Sequence, residues 1–222
     1  MFVKFRRKAE PTQAPDESAP SAAGETTAAT GDETAAPVAP TGSGPFDESE
    51  VAGDGVERVD LGSLLVAPTP GRELRLQVDE PTGTVQAVML AGPDGALEFQ
   101  AFAAPRNGDL WSTVRPQIAA DIARRGGTTT EREGRFGTEL LCQVPVQRPD
   151  GTPATQPSRI IGVNGDRWML RASLLGRPAL EPDGAEEWED ALAQVVVRRG
   201  STAMPVGEPL PVVLPEQARR VN

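Results

Sequence analysis

The sequence predicts an α+β fold, an antiparallel sheet covered by two helices. From Val56 onward, apolar residues mostly recur at every second position, which is the period of a half-buried strand. Two segments, one after residue 109 and one after residue 183, show the helical period instead. Strands, helix, strands and helix in this order favour helices packed on an antiparallel sheet.

Charge divides the chain into parts. Residues 1–8 carry four basic groups, residues 9–55 carry ten acidic groups and no basic one, and residues 56–222 carry 22 acidic and 18 basic groups. The acidic segment has too few large apolar side chains to offset chain entropy. We therefore predict a disordered tail over 1–55, a single α+β domain over 56–199, and an extended Pro-rich segment over 200–222.

The first predicted strands form a meander. Leucines alternate with polar residues over 73–79, residues 84–91 are apolar on both faces as in a central strand, and 96–103 are apolar on one face. The turn-like stretches PTG and GPDG separate these runs. We predict an antiparallel meander of three or four strands across 56–104.

A helix is predicted to follow. Trp111 and Ile122 lie on one helical stripe, Asn107 or Asp109 can cap its start, and an Arg-Arg-Gly sequence ends it. Pro116 predicts a late start or a kink, because proline removes a hydrogen bond inside a helix.

The second hairpin contains Asn164-Gly165, a strong turn signal. A two-residue loop pairs Trp168 with Ile161, and a four-residue loop pairs it with Val163. The two registers differ by two residues, so each side chain lies on the same face of the sheet in both. Trp168 then points into the core, and Arg171 points to the other face of the sheet.

Further strands are predicted over 128–136 and 138–147, and a last helix opens at Asp183, with Glu186 completing a capping box, and ends before Gly200. By analogy, this order of elements is similar to the Mog1/PsbP-like class. The acidic start of the last helix is interpreted as a solvated face, with a metal or acid/base pair as the alternative; its residues are Glu186, Glu187, Glu189 and Asp190.

Composition excludes many chemistries. The chain has no His, no Tyr and one Cys, and its lysines are Lys4 and Lys8. Catalytic triads that use His, Cys/His zinc sites, a phosphate-binding GxxxxGK[ST] loop and Schiff-base chemistry in the folded part are therefore excluded. We predict no cofactor, no metal and no catalytic residue. Cys142 is predicted to pack in the core.

Arginine supplies the candidate ligand-binding residues. Two candidates precede a helix start, a place suited to an anion, and three lie on the second hairpin: Arg106, Asn107, Arg159, Arg167 and Arg171. The alternative is turn and capping chemistry for the first two, and cross-strand pairing with acids such as Glu139 or Asp166 for the hairpin arginines.

The tail offers two further candidates. Phe46 and Asp47 lie in the acidic stretch GPFDESE, where Phe46 either docks in a partner's groove or packs on its own domain. Residues 1–8 suit a transient contact with an anionic membrane, with a solubilising terminus as the alternative. Nucleic acid is not expected, since the acidic tail and domain repel phosphate. No apolar stretch fits a signal peptide or a membrane span, so a cytoplasmic location is expected.

Six stretches carry a resemblance to a known family: GPFDESE, DGVERVDLGSLLVAP, FAAPRNGDLW, GRFGTELL, IGVNGDRWMLRA and VVVRRGSTAMPVGEPLPVVLP. Together, over residues 44–215, they resemble the actinobacterial domain-of-unknown-function family 3710. The resemblance implies an actinobacterial, cytoplasmic protein with a basic start and a variable acidic tail. It implies no activity.

The favoured function is a non-enzymatic protein-interaction or adaptor module, because the usual catalytic residues are missing and the domain has two non-globular flanks. The first alternative is a small-anion or nucleotide-sensing domain that uses Arg106 and Arg171. The second is an enzyme that works with carboxylates and arginine alone.

Overall fold

The structure is a computed structural model and describes residues 2–4, 43–79, 81–106, 108–215 and 219–221, the first and last of these ranges as backbone only. It is of the α+β class. The strands are β1 (Phe2–Lys4), β2 (Phe46–Asp47), β3 (Val59–Asp60), β4 (Leu64–Val66), β5 (Glu73–Val78), β6 (Val85–Ala91), β7 (Gly95–Ala103), β8 (Thr128–Gly134), β9 (Gly137–Gln147), β10 (Pro153–Asn164), β11 (Trp168–Gly176), β12 (Val196–Val197) and β13 (Arg219–Val221). The helices are α1 (Leu110–Arg124), α2 (Arg177–Leu180) and α3 (Glu186–Ala193), with 3-10 turns at Glu48–Glu50 and Pro182–Gly184. No helix of the described part has the length and hydropathy needed to cross a membrane.

Most strands form one large antiparallel sheet. Its order is β13-β1-β5-β6-β7-β11-β10-β9-β8, and every neighbouring pair is antiparallel. A second, four-stranded sheet has the order β2-β12-β4-β3, in which β2 and β12 run parallel. The sequence predicts the large sheet and not the small one, whose strands are only two or three residues long.

The large sheet has a hydrophobic core on each face. Trp168, Trp188 of α3 and Leu64 of the small sheet belong to one buried cluster, so these elements share one face. Met169, the next residue along β11, packs with Trp111 of α1. Because successive side chains of a strand point to opposite faces, α1 and α3 lie on opposite sides of the sheet.

The meander and the second hairpin are confirmed, with one change of register. Asn164 pairs with Met169, and the N–H of Gly165 donates to the carbonyl oxygen of Trp168 at 2.9 Å. The turn therefore lies at residues 166–167, where Arg167 takes a positive φ of 63°. Trp168 lies opposite Gly165, so both predicted registers are wrong: the pairing with Val163 by two residues and the pairing with Ile161 by four. An even shift leaves each side chain on its predicted face, so the predicted facing of Trp168 is confirmed.

Close packing requires glycine at position 162 of this hairpin. A Cβ on Gly162 would lie 2.1 Å from Cδ2 of Trp111. The indole of α1 thus rests directly on the backbone of β10, and its Nε1 donates to the carbonyl oxygen of Thr138 at 2.7 Å. This contact fixes the start of α1 on the sheet.

The first helix begins as predicted. Asp109 is its N-cap and accepts a hydrogen bond from the N–H of Ser112 at 2.9 Å. Pro116 lies inside α1, past the first turn, so the late start predicted from it is wrong.

The last helix differs from the prediction at both ends. It begins at Glu186, after a 3-10 turn that contains Asp183, and no side chain caps it. It ends at Ala193, because Val196 and Val197 leave the helix to form β12. The predicted capping box at Asp183 is therefore wrong.

Segments on both sides of residues 56–199 belong to the folded body. Phe46 is 4% exposed and packs with Val51 and Val196, so the folded chain starts before Val56, the predicted boundary. At the other end, the extended segment runs along β7, where the N–H of Leu210 donates to the carbonyl oxygen of Ala101 at 2.8 Å. It completes the edge of β7 that β6 leaves unpaired.

Candidate functional site

An open groove lies beside α1 on the face of the large sheet that this helix only partly covers. Its volume is about 740 Å³. One wall is α1, with Val114 and Ile118, and the floor is formed by strands β9, β10, β11 and β7. The aliphatic side chains that line it are Val114, Ile118, Ile122, Val144, Val146, Ile160 and Leu175.

Arg171 is the cation on the floor of this groove. Its side chain is half-buried, its Nη2 donates to Oε1 of Gln100 on the neighbouring strand, and its guanidinium lies 5.2 Å from the ring centre of Phe102. Burial lowers the pKa of Arg171, although the charge of Glu98 acts in the opposite direction. No carboxylate of the described residues forms an ion pair with Arg171, including the predicted partners Glu139 and Asp166.

The other charges of the groove lie mainly at its rim. Arg124 and Arg125, at the end of α1, both pair with Asp121, at 2.9 and 3.4 Å. Glu98 stands near Arg171 on β7. Among the described residues that line the groove, Arg171 is therefore the cation with no carboxylate as an ion-pair partner.

Arg159 lies on the opposite face of the same hairpin and is completely buried. Its Nη2 lies 2.8 Å from Oε2 of Glu139 and 2.5 Å from Oε1 of Glu189. Arg132 adds a contact to Glu139, from Nε to Oε1 at 3.1 Å. Burial would lower the pKa of Arg159, but the bonds to the two carboxylates outweigh it and raise that pKa.

These ion pairs stabilise the fold, because they connect α3 with β9 and β10. Glu189 is 8% exposed, so the interpretation of the acidic helix start as a solvated face is wrong for this residue. Its neighbours on α3 do face solvent: Asp190 pairs with Arg135 at 2.6 Å, and Glu187 pairs with Arg72 at 3.2 Å. Arg72 also lies 4.1 Å from the ring centre of Trp188.

Arg167 lines a second, smaller recess of about 420 Å³ at the turn of the hairpin. Asp47 lines it too, but Oδ2 of Asp47 already accepts a hydrogen bond from Nε1 of Trp168 at 3.0 Å. Arg199 reaches the recess with its guanidinium bound to the carbonyl oxygens of Arg167 and Thr202. The polar groups here mostly hold the fold together.

The remaining candidates are separate from the groove. Arg106 is exposed on the loop before α1, and Asn107 lies outside the described residues. Phe46 packs on its own domain, which is one of the two alternatives that the sequence leaves open. The structure thus places only Arg171 of the predicted residues in the groove.

Cys142 is buried as predicted, and burial raises the pKa of its thiol. In the described ranges, no cluster of His, Cys, Asp or Glu is placed to hold a metal ion.

A comparison with family models supplies the remaining observation. The model described as "Protein of unknown function (DUF3710)" matches residues 44–221. The chain belongs to the DUF3710 family. No curated protein matches this DUF3710 chain. A crystal structure from Bacteroides thetaiotaomicron VPI-5482 is similar at 14% identity and a TM-score of 0.34, over 65% of this chain and 52% of that one. The chain therefore spans about half the length of that structure, and the likeness carries no argument about topology.

The pairing of Arg159 with Glu139 is the cross-strand alternative that the sequence leaves open for the hairpin arginines, and for Arg159 it is confirmed. The sequence analysis missed the burial of Arg159, although the register parity of the hairpin places it on the face of Trp168, where an arginine requires acidic partners. It also missed the groove, for which the sequence has no signal, because the groove depends on how far α1 extends across the sheet.

Proposed function

We propose that this DUF3710 domain is a non-enzymatic protein-interaction module and that the groove beside α1 is its binding surface. One observation carries the proposal: the half-buried guanidinium of Arg171, without an ion-pair partner among the described residues, lies in a groove that seven aliphatic side chains also line. A partly desolvated cation gains most from a partner's carboxylate that completes its hydrogen bonds. Arginine surrounded by apolar contacts is also typical of the residues that dominate interface energies.

The composition supports binding over catalysis. The whole chain has no His and no Tyr, and the described part of the groove has Arg171 and Glu98 as its charged floor residues. These residue types bind and orient anions well, whereas general acid–base chemistry near neutral pH most often uses His or a carboxyl with a raised pKa.

Small-anion binding is the second candidate, and the size of the groove favours it. About 740 Å³ lies within the range of small-molecule sites. A thermal-shift screen of organic acids and nucleotides tests it, because a ligand at 100 times its dissociation constant adds ~2.7 kcal/mol to stability. A compound that raises the Tm of the wild type and not of Arg171→Met would favour this candidate over a protein partner.

An affinity pull-down from soluble extract of the protein's own cells tests the main proposal. The bait is the full chain as wild type, as Arg171→Met, and as Arg75→Met. Arg75 is the matched control, since it is an exposed arginine of β5 paired with Glu73 at 3.1 Å. We expect a partner retained by wild type and by Arg75→Met and lost by Arg171→Met. Equal retention by all three baits would reject the groove as the binding surface.

Several expectations about the biology stay predictions. They are the cytoplasmic location, the actinobacterial origin, the transient contact of residues 1–8 with an anionic membrane, and the Mog1/PsbP-like topology. The proposal depends on none of them, because the groove is formed by residues 98–175.

A further inference from the structure

We infer, resting on the proposed function, that the groove receives an amphipathic α-helix of the partner protein, with one carboxylate on its apolar face for Arg171. The floor of the groove gives the first argument. Strands β9, β10, β11 and β7 are paired continuously, with Ser158 opposite Cys142, Ile160 opposite Ser173 and Arg171 opposite Gln100.

A face of a paired sheet offers side chains and no free backbone groups. An extended segment adds to a sheet at an edge, where N–H and C=O groups are unpaired, and on this floor it would find no such partners. A helix satisfies its own backbone hydrogen bonds and needs only a surface for its side chains. The floor therefore favours a helix over a strand.

The wall gives the second argument. Helix α1 packs over β8, β9 and β10, and it reaches β11 at its start, where Trp111 and Met169 share a buried cluster. Farther along β11, Arg171, Ser173 and Leu175 remain in the lining of the open groove. Helices that cover a sheet pack beside one another, at interaxial distances of about 8–10 Å. A groove with one helical wall and a sheet floor has the shape that a second, neighbouring helix fills.

The chemistry of the lining gives the third argument. Val114 and Ile118 on the wall, and Val144 and Ile160 on the floor, are only half-buried, so they can still lose exposed apolar surface to an apolar helix face. Arg171 places a half-buried cation beside that apolar surface, where it can bind an anion.

The charge of the lining matches one carboxylate. The groove is lined by three arginines and two carboxylates, which leaves a surplus of one positive charge: Arg124, Arg125, Arg171, Glu98 and Asp121. One Asp or Glu side chain on the bound helix balances this surplus.

Site-specific photo-crosslinking tests the inference on the full-length protein. A benzophenone amino acid replaces Gln117 on the wall in one variant and Gln156 on the floor in another; both residues are exposed and line the groove. Each variant is irradiated in soluble cell extract, with and without Arg171→Met, and mass spectrometry maps the attachment points on the partner.

The supporting result is attachment to one partner segment at positions three, four or seven residues apart, with an Asp or Glu between them on the same helical face. A synthetic peptide of that segment should bind Arg171→Met about 10- to 100-fold more weakly than wild type, since a hydrogen bond to a charged group is lost. Replacing its acidic residue by the amide should weaken binding to wild type to a similar degree and should have little further effect on binding to Arg171→Met.

Other results overturn the inference in distinguishable ways. Arg171-dependent attachment at alternate residues shows an extended segment, and attachment to a second copy of this chain shows self-association. In both cases the groove remains a binding surface, and the inference that it binds a helix of a partner protein is wrong. If no attachment depends on Arg171, the proposed function is wrong and the inference falls with it.

Discussion

Removal of the buried guanidinium of Arg159 should destabilise the domain strongly. Arg159→Met keeps most of the side-chain volume and leaves Glu139, at 0% exposure, with Arg132 as its ion-pair partner at 3.1 Å. Glu189, which lies 2.5 Å from Arg159 in the wild type, then has no ion-pair partner among the described residues. Removing one partner of a buried ion pair costs about 3–5 kcal/mol. For a domain of this size, that corresponds to a fall in Tm of roughly 6–20 °C.

Urea unfolding followed by tryptophan fluorescence measures this loss, because Trp111, Trp168 and Trp188 are all at most 4% exposed. The control is Arg135→Met, which breaks an exposed pair with Asp190 and should cost less than about 1 kcal/mol. Adding Glu139→Leu and Glu189→Leu to Arg159→Met should restore most of the stability, since no buried charge is left unpaired. A loss below about 1 kcal/mol for Arg159→Met would refute the account of this network.

Three further predictions concern packing and pH. Gly162→Ala should lower the free energy of unfolding by about 1–3 kcal/mol, since its Cβ would meet Trp111 at 2.1 Å; unchanged urea unfolding would show that the indole moves freely. Phe46→Ala should cost about 3–5 kcal/mol and leave partner capture by Arg171 intact; a stable variant that loses the partner would instead assign Phe46 to the partner surface. Bonds from Ser112 hold the pKa of Asp109 below its ordinary value of 3.8, so its stabilisation is complete above that value and is lost as the pH falls through the lower folded pKa. Asp109→Asn, which retains a capping side chain, should therefore be less stable than wild type at pH 7, and thermal melts should show the gap closing as the pH falls below 3.8, the ordinary pKa of the carboxyl.

The sequence was most informative where the period of two alone decides the structure. The meander and the facing of Trp168 and Met169 follow from alternation, and they tolerate a register error of two or four residues. The start of α1 follows from the capping chemistry of Asp109. These features depend on residues close together in the chain, so a single sequence is enough to predict them.

The sequence was least informative where distant segments meet. Phe46 is buried through a parallel pairing with Val196, about 150 residues away, and local composition gives no sign of this contact. Val196 and Val197 continue an apolar helical stripe, yet tertiary pairing draws them into a strand. The groove is likewise tertiary: Arg171 follows from the pattern of β11, but its setting depends on the position of α1 across the sheet.

The central claim is that Arg171 makes the groove beside α1 a binding surface, and the dissociation constant of the captured partner tests it most directly. It should be measured with purified wild type, Arg171→Met and Arg75→Met at one salt concentration, because charge interactions are screened by salt. The account predicts binding about 10- to 100-fold weaker for Arg171→Met, and unchanged binding for Arg75→Met. Equal dissociation constants for all three proteins would contradict it.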